Sequence, residues 1–223
     1  MKYIFKLLLV LLLFTGSLFA QENLTIPPYD NRLDKYPNTM MWYNTADKLT
    51  ESAYNIALTY DIQIEDYKLA ELWYKQALNL DSNNADAANN LGLIYAVKND
   101  YTEAKKYYLI AAKFNHKSAM YNLARLYDKQ KNNKSAIKWY KKAIERESLD
   151  AMKNLSLLYY SQKKYIQAVE YMLPLSDKKY TKKKVFALFR THWKFSEATI
   201  KKGYEAQLKS TIIPEKLKYK GGI

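Results

Sequence analysis

The chain has 223 residues, enough for one domain of ordinary size or two small ones, and 48% of them are hydrophobic, so a core can be buried and disorder as the main state is excluded. Five Gly and five Pro against 22 Tyr, with runs rich in Ala, Leu and Lys, exclude collagen-like and low-complexity architectures and favour helices over many-turned β folds. The absence of cysteine removes disulfide frameworks, thiolate metal sites, cysteine nucleophiles and a lipidated cysteine anchor.

At the start of the chain Lys2 and Lys6 precede a charge-free stretch, residues 7–20, that ends at Ala20-Gln21. This is the pattern of a secretory signal peptide, residues 1–20, although Leu18 stands where a small residue is preferred before the cut. The apolar stretch is shorter than the roughly 20 residues a spanning helix needs. The expectation is therefore cleavage near Ala20, a periplasmic or secreted location, and no transmembrane span in the mature chain. Residues 21–49, with Pro27, Pro28 and Pro37, read as an irregular arm followed by a short helix.

Charge is distributed unevenly beyond this point. Residues 21–97 carry 5 Lys+Arg against 11 Asp+Glu, residues 98–223 carry 29 against 11, and residues 178–223 alone carry 13 against 3. Lys182, Lys183, Lys184 and Arg190 form the basic surface of that last stretch. A basic end of this kind is most simply a solvated helix face; its other reading is an acidic partner, such as an anionic envelope component. Export disfavours nucleic acid as a partner.

From residue 50 to 180 the sequence repeats itself. Leu91-Gly92-x-x-Tyr95, then Ala104, Tyr108 and Ala111, recurs 32 residues later as Leu123-Ala124-x-x-Tyr127, Ala136, Tyr140 and Ala143. A third copy begins at Leu155-Ser156-x-x-Tyr159, and an upstream copy, Ile56-Ala57-x-x-Tyr60 with Ala70, Tyr74 and Ala77, has one extra residue in its turn. Each copy holds two apolar-periodic segments separated by a polar turn such as Lys98-Asn99-Asp100, so the unit is a helix hairpin and the array is a stack of hairpins. Small residues on both helices of a unit allow close approach of the backbones, and the aromatic side chains fill the space around them.

These residues resemble the tetratricopeptide repeat, which the segment from Asn89 to Tyr95 matches closely; Trp73-Tyr74-Lys75-Gln76-Ala77 and Trp139-Tyr140-Lys141-Lys142-Ala143 are similar to the related Sel1-like repeat. The chain departs from the family in its 32-residue period and in having Ser82, His116 and Ser148 where a proline is expected. The resemblance implies an all-α, right-handed superhelical solenoid of antiparallel helix hairpins: four repeats over residues 50–180, then a degenerate capping repeat over 181–213 and a basic tail over 214–223. In the cap, Val185, Phe186 and Phe189 take the places of the first-helix Leu, Gly and Tyr, and Phe195-Ser196-Glu197-Ala198 is set against Tyr101-Thr102-Glu103-Ala104, with the second helix running to about Ile213.

The resemblance also implies a protein or peptide partner lying along the first helices of the repeats. Carried over by position, that groove contains Asn90, Tyr121, Asn122, Arg125, Lys153 and Asn154. An asparagine stands before the motif Leu or Ile in every copy, at Asn55, Asn90, Asn122 and Asn154. Such a ladder of amides can pair with an extended backbone, or it can bridge neighbouring repeats and set their angle. The family's carboxylate clamp is not expected, because Asn89 and Tyr54 occupy two of its basic positions.

Catalysis finds little support. His116 and His192 have no ligating neighbours at metal spacing, and no nucleophile motif or phosphate loop occurs. No catalytic residue, metal or cofactor is expected, and the chain reads as a scaffold or adaptor. Beside that reading stand an envelope-associated assembly factor using its basic end and, more remotely, a secreted enzyme of Sel1-like type.

Overall fold

The computed structural model describes residues 26–36, 38–46 and 49–223; the signal-like segment 1–20 lies outside the described residues. In the middle of the chain, helix starts recur every 16 residues. Asn84, Asp100, His116, Asn132 and Ser148 each turn a side-chain acceptor onto the backbone N–H three residues on, at 2.9–3.2 Å. Helix ends are set by Asn99, Asn115, Lys131, Glu147 and Lys163, whose φ angles of 59–64° are left-handed although none is glycine. The residue after each reaches back to the last turn, as Asp100 N does to Tyr95 O and Asn132 N to Tyr127 O, both at 2.9 Å. This explains the missing prolines. At His116 and Ser148 a left-handed residue followed by a capping side chain ends one helix and starts the next, and at Ser82 the cap has moved on to Asn84.

Eleven α-helices form among the described residues: α1 (Thr39–Thr45), α2 (Thr50–Leu58), α3 (Tyr67–Leu80), α4 (Ala85–Val97), α5 (Tyr101–Lys113), α6 (Lys117–Lys129), α7 (Asn133–Glu145), α8 (Leu149–Ser161), α9 (Tyr165–Met172), α10 (Lys182–Ala187) and α11 (Glu197–Lys209). The expected all-α repeat architecture is present. The chain divides into two compact units, residues 1–91 and 92–223.

In the first unit, α2 and α3 pair as a hairpin around buried Ile56, Tyr60, Trp73 and Tyr74. The extra residue expected in the turn sits instead in the helix end: α2 widens into a π-helical stretch, Thr59–Ile64, which takes one more residue per turn. The arm packs against this hairpin. Leu33 is fully buried, Arg32 bridges Asp30 and Asp66 at 2.6 and 3.0 Å, and the Tyr60 hydroxyl donates to Asp30 at 3.1 Å.

In the second unit the small residues lie where the helices approach most closely. Ala104, Ala124, Ala136, Ser156 and Ala168 are all fully buried. A Cβ on Gly92 would come 2.5 Å from the Tyr108 ring, and the Ser156 hydroxyl donates to the Ala168 carbonyl at 2.5 Å. The capping hairpin departs from the expected register. Val185, Phe186 and Phe189 are buried as expected, but α10 runs into a π-helical stretch, Leu188–His192, so the second helix shifts by two residues. Ile200, not Ala198, occupies the slot of Ala168; Ala198 is exposed. Gly203 makes a close contact of a different kind, with α9 of the preceding hairpin, where a Cβ would overlap Val169 and lie 3.0 Å from the Ile166 carbonyl oxygen. The helix stops at Lys209 rather than near Ile213. Beyond it the chain folds back: fully buried Gln207 donates to Tyr219 O at 2.8 Å and accepts from Tyr219 N at 3.0 Å.

Two outcomes test this packing. Gly203→Ala should destabilise by about 1–3 kcal/mol through overpacking although alanine favours helix, whereas Ala198→Leu should stay within about 0.5 kcal/mol; thermal melts read both. Burial raises the pKa of Glu170, on α9, against the smaller opposing effect of nearby Ser210 and Lys141. Its folded pKa exceeds the unfolded one, so its contribution is present in acid and lost as pH rises through the folded value. Glu170→Gln should therefore stabilise near pH 7, with the difference fading towards about pH 4 in denaturant titrations.

Candidate functional site

Positions 32 apart on the first helices of the repeats fall at equivalent places on one face, so the chemistry of that face can be read in columns. One column in the second unit is Leu93, Arg125, Leu157; another is Val97, Lys129, Ser161. Leu93 and Leu157 are each 41% exposed and Val97 70%, which leaves three apolar side chains in water on this face.

Between these helices runs a groove of about 620 Å³, lined by Leu93 and Val97 of α4, Asn122, Arg125 and Lys129 of α6, and Asn154 of α8. The hydroxyl-bearing Tyr101, Tyr108 and Tyr140 line it too, as does Asp128. Burial pushes the Tyr108 hydroxyl up to about 12, with the Arg125 cation pulling the other way, and burial likewise raises Tyr140. Both remain neutral hydroxyls at physiological pH. Tyr140 uses its proton on Asp128 Oδ2 at 3.3 Å. Lys129 donates to the Tyr101 hydroxyl and lies 4.6 Å above that ring.

Of the residues expected from sequence, Asn122, Arg125 and Asn154 line this groove together. Tyr121 lies beside it: its hydroxyl accepts from Asn154 Nδ2 at 3.2 Å, its ring packs on Tyr140 at 6.2 Å, and the Arg125 guanidinium sits 5.7 Å over its face. Asn90 belongs to the first unit and donates to the Tyr74 hydroxyl at 2.9 Å. The asparagine ladder thus has two of its amides on tyrosine hydroxyls of neighbouring helices. Asn154 reaches from α8 back to α6, the bridging geometry, while still forming part of the groove wall.

Lys153 is not brought to Arg125. It lines a second hollow of about 450 Å³ with Leu157, Met172, Val185, Leu188 and Lys184. The basic surface is divided accordingly: Lys184 belongs to this recess, while Lys182, Lys183 and Arg190 surround Phe186 in a third hollow of about 570 Å³. Arg190 is held by Glu197 at 2.8 and 3.2 Å and lies 5.2 Å over the Phe186 ring, and Lys182 lies 5.6 Å over the same ring. The sequence reading missed Tyr101, Tyr108, Tyr140 and Asp128 as groove residues. By sequence Tyr108 and Tyr140 read as packing residues of the repeat, and the signal for their second role is that a long side chain on a second helix can end on the first-helix face. His116 caps a helix, as described above. Among the described residues no cluster of His, Asp and Glu could hold a metal ion.

Residues 50–84 and 118–148 match one tetratricopeptide-repeat family profile and residues 73–106 match another. No curated protein matches the chain by sequence. Among solved structures it is similar to a protective antigen of uropathogenic Escherichia coli strains with the SLR fold, at TM-score 0.60 and 22% identity over 72% of this chain. The chain spans only 37% of that antigen's length. PilF of Pseudomonas aeruginosa superposes at TM-score 0.58 with 19% identity, over 80% of this chain and 86% of that one. YrrB, a TPR protein with an unusual peptide-binding site, gives TM-score 0.54 and 18% identity, over 84% and 96%. Residues 50–106 and 118–148 thus carry tetratricopeptide repeats, and the fold is one shared with TPR and SLR-fold proteins. Its fold is that of a protein–protein interaction scaffold, a class that is typically non-catalytic. Among the described residues no helix is long and apolar enough to cross a membrane.

The bridging contact predicts a measurable coupling. Asn154→Ala and Tyr121→Phe should each lower stability by about 0.5–1.5 kcal/mol, and the double variant should cost clearly less than their sum in chemical denaturation, because both remove one hydrogen bond.

Proposed function

We propose that this chain is an exported scaffold that holds an extended segment of a partner protein along the first-helix face of its repeats. The observation that carries the reading is the groove of about 620 Å³, whose lining combines exposed Leu93 and Val97 with Arg125 and the amides of Asn122 and Asn154. Apolar side chains left in water supply contact area, and amides and hydroxyls supply partners for a peptide backbone. The likeness to YrrB, a TPR protein with a peptide-binding site, supports the same use of the fold here. In this reading residues 50–180 are the binding array, residues 181–213 cap it, and residues 1–20 direct export and are removed near Ala20. The protein acts by holding a partner and has no reaction of its own.

The groove and the export are tested separately. Arg125→Glu and Val97→Asp lie on exposed positions, so each should leave the melting temperature nearly unchanged while weakening partner binding by about tenfold or more, measured with a partner recovered from envelope extracts. Capture that vanishes at high salt, survives both substitutions and is lost with Lys182, Lys183 and Lys184 would place the working surface at the basic end instead. N-terminal sequencing of the native protein should begin at Gln21. Recovery from cytosol with Met1 intact would overturn the export reading.

A further inference from the structure

On the first-helix face of residues 92–223, three hollows follow one another and share walls. Asp128 and Asn154 line both the 620 Å³ groove and a smaller hollow of about 300 Å³, and Leu157 lines both that hollow and the 450 Å³ recess. The chemistry changes along this line. The first hollow carries Arg125, Lys129 and Lys131 against one carboxylate, Asp128, which already accepts the Tyr140 hydroxyl. Among the described residues Arg125 and Lys131 form no ion pair. The last hollow is walled by Leu157, Met172, Val185 and Leu188, and its cations are Lys153 and Lys184, which also form no ion pair among the described residues.

Tyr180 and His192 line this recess too, yet its surface is almost wholly apolar, so it suits side chains of an apolar kind. A groove with three cations and one engaged carboxylate suits carboxylates. Residues 98–223 carry 29 Lys+Arg against 11 Asp+Glu, so the wider field draws an acidic segment to this face as well. Resting on the reading that the first-helix face is the binding face, we infer that the occupant is a two-part segment of a partner protein: a block of Asp or Glu over Arg125, Lys129 and Lys131, continuing into apolar side chains that fill the recess between α8 and α10. Neighbouring helix axes lie about 8–10 Å apart, so two steps from α6 to α10 span roughly 16–20 Å, or about five to six residues of extended chain at about 3.3 Å each. Neither half alone accounts for the face. An anion binder would not leave Leu157 in water beside the recess, and an apolar binder would not set Arg125 in the column between Leu93 and Leu157.

The test uses fluorescence anisotropy of dye-labelled synthetic peptides of about ten residues. One carries an Asp block followed by Leu and Phe, a second has Lys in place of Asp, and a third has Ser in place of Leu and Phe. The two-part peptide should bind the full chain about tenfold or more tightly than either control. Arg125→Glu should abolish the preference for Asp over Lys while keeping the preference for Leu and Phe over Ser. Leu157→Asp should do the reverse; both positions are exposed, so circular dichroism melts should match the unsubstituted chain. Raising the salt to about 0.5 M should erase only the first preference. Equal binding of all three peptides would overturn the inference. If a randomised peptide library yields ligands that are weakened by Arg125→Glu or Val97→Asp but share neither an acidic nor an apolar block, the two-part occupant falls while the groove stands. If its ligands ignore every substitution on the face, both fall.

Discussion

The repeat hairpins of residues 92–172 depend on two helix backbones coming so close that only a small residue fits at the point of contact. Gly92, Ala124 and Ser156 meet that demand on the first helices and Ala104, Ala136 and Ala168 on the second. The space around a contact so close must be filled by large side chains reaching across it, and Tyr108 against Gly92 is the clearest case. A ring packed there carries its hydroxyl out to the first-helix face. The same packing that closes the hairpin therefore furnishes the groove with Tyr108 and Tyr140, kept neutral by their burial. Core and site are here two ends of one side chain, and a substitution at either tyrosine would disturb both.

The punctuation of the array has the same economy. A left-handed residue ends a helix, the next residue caps the following one, and the pair recurs with a 16-residue step. Asparagine tolerates the left-handed region better than Lys or Glu does, yet Lys131, Glu147 and Lys163 hold it as well. What keeps them there is the returning hydrogen bond from the next residue and the packing of the helices on either side. The backbone is over-determined by its surroundings, so local preference yields.

The face along α4, α6, α8 and α10 is graded. Its early part combines cations, amides and hydroxyls, and its later part is apolar with lysines beside it. In a repeat array such a gradient needs no change of fold. One column of the repeat can alternate Leu, Arg and Leu because each unit contacts only its neighbours and the exposed position is free to vary. Asn154, whose amide bridges to Tyr121, is part of the same wall, so one side chain both links two repeats and lines the groove.

Spacing along the chain determined much by itself. The 32-residue recurrence, the pairs four residues apart and the polar turns are local properties, and they settle that the chain makes helix hairpins, where the first helices lie, and that Asn122, Arg125 and Asn154 share a face. The absence of glycine and proline from the turns was equally legible, although the left-handed Lys and Glu that replace them were not, since nothing local favours them there. Tertiary structure decided whatever depends on contacts between segments. Lys153 turned out to share a recess with Lys184 because α8 and α10 each form part of its wall, a relation no periodicity encodes. Two π-helical stretches absorbed extra residues inside helices instead of in turns, and beyond the second of them the tight approach is that of Gly203 on α11 to Val169 and Ile166 of α9, while Ala198 is exposed. A periodic pattern specifies which side of a helix is apolar, but a shift of one or two residues changes that side only slightly, and the choice among registers is made by whether a backbone such as that of α9 leaves room for a methyl group.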